Sequence, residues 1–461
     1  MTLINRRTFL ASAAALAAAP ALGQVRSSGD VDVAIIGAGA AGIAAARRVA
    51  AAGRRFALLE AGSQIGGRCV TDTRSFGAPF DRGAHWIRQA DINPVVKAAA
   101  KAGLDVYPVP AGQRIRIGVR HARESELEAF LTSQVRATRA IAEAARGRAD
   151  VAAASALPKD LAEWQSTIEF ALGPFGIAKD LSEVSAMDFA KLERDSEAFC
   201  RQGYGSLLAK AAESIPVQRS TPVTSVQWER GLEVETPKGR ISARAVIVTV
   251  STNVLGSGKI RFSPELPRRQ LDAAARLKLG TYERIALDLP GNPLGLAPDE
   301  LVLEQSRDQN TAALLANVGG TPLCFVDIAG HFAQTVAADG PEAMIDFALD
   351  WLSQLYGADL RKAVRSAQAT QWIKDPLVLG GWSSAAPGAQ QARRVLMEPL
   401  RDRLYFAGEA VHETAWGTVN GAWGSGERAA EAALRKMGAL KEPEKPAPKR
   451  APKRSSSKQQ R

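Results

Sequence analysis

An apolar strand that runs directly into a glycine-rich turn constrains this chain more than any other feature. Residues 33–36 precede Gly37, Gly39 and Gly42, which form the pattern GxGxxG, and an alanine-rich helix follows over residues 43–52. The first glycine permits a tight turn, the second lets the backbone approach a pyrophosphate, and the third allows close packing of the helix on the strand. The pattern therefore predicts a dinucleotide whose phosphates face the helix amino terminus.

A second apolar run strengthens this prediction. Residues 55–59 end in Glu60, at the distance where a carboxylate takes the ribose hydroxyls of a dinucleotide. An acidic residue there favours a ribose without a 2′-phosphate. Because the chain has 40 glycines, GxGxxG alone is weak, and the strand, the helix and Glu60 carry the prediction together. The cofactor-binding residues predicted in this unit are Gly37, Gly39, Ala41, Gly42, Glu60 and Ala61.

Two further segments have patterns that suit the same dinucleotide site. Gly66 and Gly67 let the backbone pass close to a cofactor, and Arg68 offers fixed donors to its diphosphate. Far along the chain, residues 404–426 repeat the order of strand, acidic loop with Glu409, and glycine-permissive helix entry. This order predicts another backbone-lined contact, to an anion or to a ribityl chain.

Together these motifs resemble the flavin-containing monoamine/polyamine oxidase family. The GGR run after Glu60 is similar to FAD enzymes rather than to NAD dehydrogenases, and FAGE…GTxxGAxxSG in residues 406–426 is the most specific match. Other similar stretches are residues 80–87 (flavin-flanking), 203–207 (glycine-rich), 222–226 (adenine side), and 246–255 followed by 262–267 (central). The resemblance covers residues 30–436 and implies non-covalent FAD. It adds Gly83, Ala84, Val223, Thr418 and Val419 to the predicted cofactor-binding residues.

The resemblance also implies the fold. It is an α/β fold in which a discontinuous doubly wound FAD-binding domain adjoins a mixed-sheet and helical substrate domain. We predict residues 30–93, 202–266 and 386–438 in the first domain, and residues 94–201 and 267–385 in the second. A chain of 461 residues also exceeds one ordinary core, so two joined domains are expected from length. Helical spacing dominates residues 94–200.

The active site implied by the resemblance departs from the family pattern. The family transfers hydride from the carbon that bears the amine to flavin N5, usually with O₂ as acceptor. Trp382 matches one wall of the family's aromatic cage, whereas the second wall falls at Thr418. Arg284 stands where a lysine usually holds a water against N5, and arginine cannot accept a proton. These three are the predicted catalytic residues; the neighbouring Glu283 is expected to face solvent.

Three functions remain open from the sequence. The leading hypothesis is oxidation of a small-molecule amine. Arg284 and the half-open cage favour instead an FAD-dependent oxidation or desaturation of a non-amine substrate. A catalytically idle flavin-binding protein is the third. Trp382 has core packing as its alternative, and structural or packing roles are expected for His85, His412, Trp86 and Trp416.

Both ends of the chain have special compositions. Arg6 and Arg7, an apolar run over residues 9–19 and small residues at 21–23 resemble a twin-arginine export signal. Residues 1–29 therefore predict a periplasmic or secreted protein, and the apolar run is too short to span a bilayer. The Pro/Lys/Ser-rich residues 439–461 are predicted to be a disordered basic tail.

Charge and cysteine content exclude other classes. Residues 441–461 carry eight Lys/Arg against two Glu, which supplies +6 of the net +11, so the folded body is mildly basic and predicts no specific nucleic-acid partner. Cys69, Cys200 and Cys324 are odd in number and far apart, so they predict neither a disulfide framework nor a metal site. The oligomeric state is left open.

Overall fold

Two seven-stranded sheets organise the residues that the computed structural model describes, which are 31–193 and 196–441. The strands, in chain order, are β1 (Val31–Ile36), β2 (Phe56–Leu59), β3 (Thr71–Asp72), β4 (Phe80–Asp81), β5 (Ile87–Arg88), β6 (Val106–Pro108), β7 (Arg114–Ile117), β8 (Arg120–His121), β9 (Glu197–Cys200), β10 (Ser225–Gln227), β11 (Leu232–Thr236), β12 (Gly239–Val248), β13 (Arg261–Ser263), β14 (Tyr282–Asp288), β15 (Glu300–Glu304), β16 (Ala313–Ala316), β17 (Leu323–Ala329), β18 (Ser366–Ala369) and β19 (Leu404–Phe406). The α-helices are α1 (Ala40–Ala51), α2 (Pro94–Ala98), α3 (Glu124–Ala144), α4 (Gln165–Leu172), α5 (Pro174–Ile177), α6 (Ala186–Lys191), α7 (Tyr204–Ala211), α8 (Thr252–Gly256), α9 (Arg268–Arg276), α10 (Gly330–Ala338), α11 (Pro341–Tyr356), α12 (Leu360–Ala363), α13 (Ala392–Met397) and α14 (Val419–Lys436). The predicted export signal and all but three residues of the predicted tail lie outside the described residues.

The first sheet brings the predicted motifs to one edge. Its order is β13-β10-β11-β12-β1-β2, and β19 also pairs with β12. Strands β1, β2, β12 and β19 are parallel, and their apolar sequences suit burial on both faces. Because carboxyl ends of parallel strands share an edge, the segments that follow β1, β2 and β19 meet there. All seven strands lie in the three segments predicted for the FAD-binding domain.

Two helices cover one face of this sheet. Helices α1 and α14 pack side by side, with Ala41, Ala45, Ala429 and Ala433 buried between them and the sheet. The contact is tight because Gly426 of α14 lies directly against α1. A Cβ on Gly426 would stand 2.0 Å from the Ala41 carbonyl oxygen. Small residues thus set how closely α14 packs against the start of α1.

The second sheet has two unlike faces. Its order is β18-β14-β17-β16-β15-β7-β8, with β15 and β7 parallel and the other neighbours antiparallel. Side chains alternate along its strands, and one set that includes Ile285 and Val326 packs on α10 and α11. The other set includes Arg284 of β14 and its register partner Asp327 of β17. This second face lies against the end of β4 and the residues after it, since Arg284 donates to the Asp81 and Gly83 carbonyls.

Short strands account for the main departure from the sequence expectation of helices over residues 94–200. Strands β6 to β9 lie in this range alongside α3, and β6 and β9 form a small sheet with β5. Each has two to four residues, too few for an alternating pattern to stand out. Of the helices described, none is both long and apolar enough to cross a bilayer.

The contact between α1 and α14 predicts that alanine destabilises the protein at Gly426 but not at Gly424. Gly426→Ala should lower the free energy of unfolding by about 1–3 kcal/mol, because a methyl group there overlaps the Ala41 carbonyl. Gly424→Ala in the same helix is the control, since its Cβ would meet only the His412 ring at 3.8 Å. Chemical denaturation measures both variants. Equal effects at the two positions would show that this helix contact is not tight.

Candidate active site

The GxGxxG turn has no room for side chains. Gly37 adopts a φ of +100°, and a Cβ there would lie 2.6 Å from Thr249 Oγ1. A Cβ on Gly42 would lie 1.9 Å from the Gly37 carbonyl oxygen. Gly39 caps α1 without a side-chain hydrogen bond, no acidic residue lies in the first turn, and a parallel bridge joins Gly39 to Gly66. The two glycine runs thus form one backbone cradle whose helix N–H groups suit a diphosphate.

Glu60 is fixed beside this cradle. Its Oε2 accepts a 2.7 Å hydrogen bond from the Ala38 N–H, and its Oε1 accepts one of 2.7 Å from the Gly62 N–H. A carboxylate has about four acceptor sites, so two remain for ribose hydroxyls. The half-buried Ala61 lies between these contacts. Backbone hydrogen bonds join Glu60 to residues 218 and 221, which brings the buried Val223 to the same end of the site.

Glu409 joins three segments that are remote in sequence. Its Oε1 accepts from Arg68 Nη1 at 3.0 Å and from the Ser383 N–H at 3.1 Å. Its Oε2 accepts from Ser383 Oγ at 2.8 Å and from the Gly417 N–H at 3.0 Å. These four bonds fill the acceptor sites of this buried carboxylate, so it organises the site rather than offering a free contact.

Arg68 is held at one end only. Its Nη1 donates to Glu409 and, at 2.6 Å, to the Gly381 carbonyl. Across residues 31–193 and 196–441, Nε and Nη2 show no hydrogen-bond partner, which leaves three N–H groups on two nitrogens for a diphosphate. The backbone of Arg68 also meets the flavin-flanking segment. Its carbonyl accepts from the Ala84 N–H at 3.0 Å, and a Cβ on Gly83 would lie 2.1 Å from that oxygen.

Thr418 is a helix cap. Its Oγ1 accepts from the Gly421 N–H at 3.0 Å and donates to the Ala415 carbonyl at 2.6 Å. This hydroxyl therefore serves α14, an 18-residue helix whose first residue is Val419. Trp382 is half-buried beside the same turn, since a Cβ on Gly417 would lie 2.7 Å from Trp382 Cδ1. The structure thus brings together Trp382, Thr418 and Val419, as the motifs predict.

Arg284 is locked in a buried ion pair. Its Nε and Nη2 donate to the two carboxylate oxygens of Asp327 at 2.7 and 2.9 Å. Its Nη1 donates to the carbonyls of Asp81 and Gly83 at 2.9 and 3.1 Å. Burial lowers the pKa of Arg284, but Asp327 outweighs it and the pKa lies above its ordinary value. Four of the five N–H groups are used, so at most one remains to hold a water molecule.

The expectation that Glu283 faces solvent is wrong. This side chain is 0% exposed and accepts hydrogen bonds from Thr370 Oγ1 and from the N–H groups of Trp372 and Ile373, at 2.6, 2.9 and 2.9 Å. The cause is tertiary, because β14 lies between β17 and β18 and the loop after β18 covers it. Burial raises the pKa of Glu283, and these hydrogen bonds oppose that shift.

The two motif histidines have protein partners. His85 Nδ1 lies 2.7 Å from Asp81 Oδ2, and its ring stacks on Phe199. Burial raises the pKa of Asp81, but hydrogen bonds from His85 and Thr71 bring it below its ordinary value. The His412 ring accepts from the N–H groups of residues 414 and 415. Trp86 and Trp416 pack against Phe199 and under the Arg393 guanidinium, respectively.

Four residues that sequence reasoning did not single out belong to this region: Asp327, Ser383, Tyr282 and Lys179. Lys179 is 8% exposed and donates to the Ser384 carbonyl at 3.2 Å. Burial lowers its pKa to about 8. Nothing in its local sequence signals burial, because the element that covers it is about 200 residues away.

Few side chains among the described residues suit metal binding or covalent chemistry. In the described part of the chain, no three His, Cys, Asp or Glu side chains gather in a way that would hold a metal ion. Cys69, Cys200 and Cys324 are free and buried, and burial raises the pKa of each thiol. Raised thiol pKa values mean little reactive thiolate at neutral pH.

Comparison with known proteins agrees with this geometry. A family model for flavin containing amine oxidoreductase matches residues 40–434. Lysine-specific histone demethylase 1 homolog 3 of Oryza sativa subsp. japonica is 26% identical over 432 residues, which are 86% of this chain but 53% of that protein. The chain thus spans about half the length of that relative. Probable polyamine oxidase 4 of Arabidopsis thaliana is 26% identical over 441 residues, with 87% and 86% covered.

Solved structures share the fold. Cyclohexylamine oxidase from Brevibacterium oxydans IH-35A superposes with a TM-score of 0.75 at 22% identity, covering 89% of this chain and 100% of that one. A putrescine oxidase structure with bound putrescine gives 0.74 at 19% identity, covering 88% and 99%. The predicted α/β fold is confirmed.

The buried Lys179 predicts a pH-dependent stability difference. Its pKa is about 8 in the folded protein and about 10.4 when unfolded, so the unfolded chain binds more protons between these values. Its contribution to stability therefore rises with pH from about 8 to 10 and is lowest below about 8. Lys179→Met removes this rise, so the free energy of unfolding of the variant should increase relative to that of the natural protein as pH falls.

Denaturation at pH 7 and pH 10 measures that difference. The control is Lys210→Met, because Lys210 and its ion-pair partner Glu213 are both exposed. Its stability difference from the natural protein should not change with pH in the same way. A pH-independent difference for Lys179→Met would contradict a buried lysine.

Proposed function

Because the chain belongs to the flavin-containing amine oxidoreductase family, we propose that it oxidises a C–N bond of an amine with O₂ as electron acceptor. The resemblance seen in the motifs is confirmed, and the cofactor is non-covalent FAD. One observation carries the proposal. Glu409 ties the GGR run, the Trp382 loop and the α14 entry into one site, so separate motifs act on one cofactor.

The residues present fit FAD. The α1 amino terminus and Arg68 would hold the diphosphate, Glu60 the ribose, and the α14 amino terminus at Val419 an electron-rich edge. Bound there, FAD supplies the acceptor for a hydride from the carbon that bears the nitrogen. Overall, the amine would lose this hydride and a proton from nitrogen, the resulting imine would hydrolyse, and O₂ would take up the two electrons and two protons as hydrogen peroxide.

The protein's own part is to position the substrate and exclude water. Trp382 presents an aromatic face beside the α14 turn, and Arg284 fixes the carbonyls of Asp81 and Gly83. The charge of Arg284 is balanced by Asp327, so the ion pair adds no net charge beside a neutral amine. Holding reacting groups in the right geometry can supply a large part of an enzyme's rate enhancement.

A second candidate is FAD-dependent oxidation or desaturation of a non-amine substrate. Arg284 favours it, because a guanidinium held by Asp327 can neither accept a proton nor turn freely toward a substrate. Thr418 favours it too, because the second wall of the cage has no aromatic ring there.

Anaerobic reduction of the purified holoprotein tests the proposal. We expect the yellow flavin to bleach with at least one primary or secondary amine, and the reduced protein to yield hydrogen peroxide in air. We expect Trp382 to position the substrate, so Trp382→Ala should slow bleaching while the flavin stays bound. Bleaching only by non-amine donors would support the second candidate, and bleaching by dithionite alone would indicate an idle flavoprotein.

A further inference from the structure

Residues 412–418, here called the entry loop, lead directly into α14. The Gly417 N–H donates to Glu409 at 3.0 Å, which ties the loop to the carboxylate that joins the separate motifs. Thr418 ends the loop and caps α14 by accepting from the Gly421 N–H. The α14 amino terminus is one of the groups that would hold FAD. Its position therefore depends on the conformation of the entry loop.

His412 holds the start of the entry loop through one ring nitrogen. Its Nδ1 accepts hydrogen bonds from the N–H groups of Thr414 and Ala415, at 3.3 and 2.9 Å. The Ala415 carbonyl in turn accepts from Thr418 Oγ1 at 2.6 Å, so the same short segment links the ring to the cap of α14. Both bonds to Nδ1 need a lone pair on that nitrogen. The neutral imidazole has one, whereas the protonated ring carries N–H donors at both nitrogens.

The surroundings of His412 favour the neutral ring. Burial lowers the pKa of His412 below its ordinary value, and the cations Arg428 of α14 and Arg393 of α13 act in the same direction. The carboxylates of Glu193 and Glu413 oppose this shift without cancelling it. Protonation would therefore bring a third positive charge near two arginines and turn the acceptor of the entry loop into a donor.

We propose that His412 is a positioning residue that makes the binding of FAD depend on pH. The neutral ring fixes the entry loop. In the protonated ring, the Nδ1 proton faces the two N–H groups that it should accept from, and the loop is released. The Gly417 N–H and the α14 amino terminus then lose their fixed positions. The inference concerns the cofactor alone and does not depend on the proposed amine oxidation.

Acidification should weaken FAD binding. The pKa of His412 lies below its ordinary value while the loop is fixed, and a ring released to solvent should return to about 6.5. The FAD-bound form therefore holds fewer protons than the released form, so Kd for FAD should rise as pH falls below about 6.5. Between pH 7.5 and pH 5.0 we expect a rise of at least about threefold.

The test dilutes the holoprotein at pH 7.5 and pH 5.0 and measures Kd from the fluorescence of the released FAD. In His412→Asn, the amide oxygen can accept from the N–H groups two and three residues ahead but does not titrate. This variant should keep tight binding at pH 7.5 and lose the rise in Kd at pH 5.0. His412→Ala leaves both N–H groups without an acceptor, so its Kd at pH 7.5 should exceed that of His412→Asn by at least about threefold.

His121→Asn is the matched control, because the pKa of His121 is also lowered by burial but the residue lies on β8 at the edge of the second sheet. This variant should keep the natural rise in Kd, and circular dichroism at both pH values should show that FAD is released without unfolding. An equal rise in the natural protein and in His412→Asn would overturn the inference. So would a natural Kd that is the same at both pH values, or equal Kd values for the asparagine and alanine variants at pH 7.5.

Discussion

The buried pair of Arg284 and Asp327 is the contact on which the site depends. Through Asp327 it fixes Tyr282, and through two backbone carbonyls it fixes the segment that follows β4. Both charges lie below 5% exposure, so removal of one partner would leave the other buried without compensation. One ion pair therefore joins the second sheet, the flavin-flanking segment and the Tyr282 ring that packs on Trp382.

This role explains why arginine, and not lysine, suits position 284. A guanidinium binds both oxygens of Asp327 and still has donors for the carbonyls of Asp81 and Gly83. A lysine has three donors from one nitrogen and cannot span these four acceptors. Where the family pattern has a lysine that holds a water molecule, this chain thus has an arginine that binds Asp327 and two backbone carbonyls. Beside this clamp, the Tyr282 ring packs on Trp382 and its hydroxyl donates to Asp327.

Sequence patterns predicted the parts of the site that depend on local constraints. Gly37 needs a positive φ, Gly42 has no space for a Cβ, and Glu60 follows a strand, so each leaves a readable pattern. Asp327 and Lys179 left none, because Arg284 finds Asp327 43 residues away and Lys179 meets its partner 205 residues away. Glu283 was misassigned for the same reason. Export and the basic tail stay predictions.

A double-mutant cycle on Arg284 and Asp327 tests the clamp most directly. Arg284→Met and Asp327→Leu are each expected to lower the free energy of unfolding by about 3–5 kcal/mol and to weaken FAD binding. The double variant should be more stable than either single variant, because no buried charge is left unpaired, so the coupling energy should exceed about 3 kcal/mol. Additive losses, with FAD affinity unchanged in the single variants, would contradict the account.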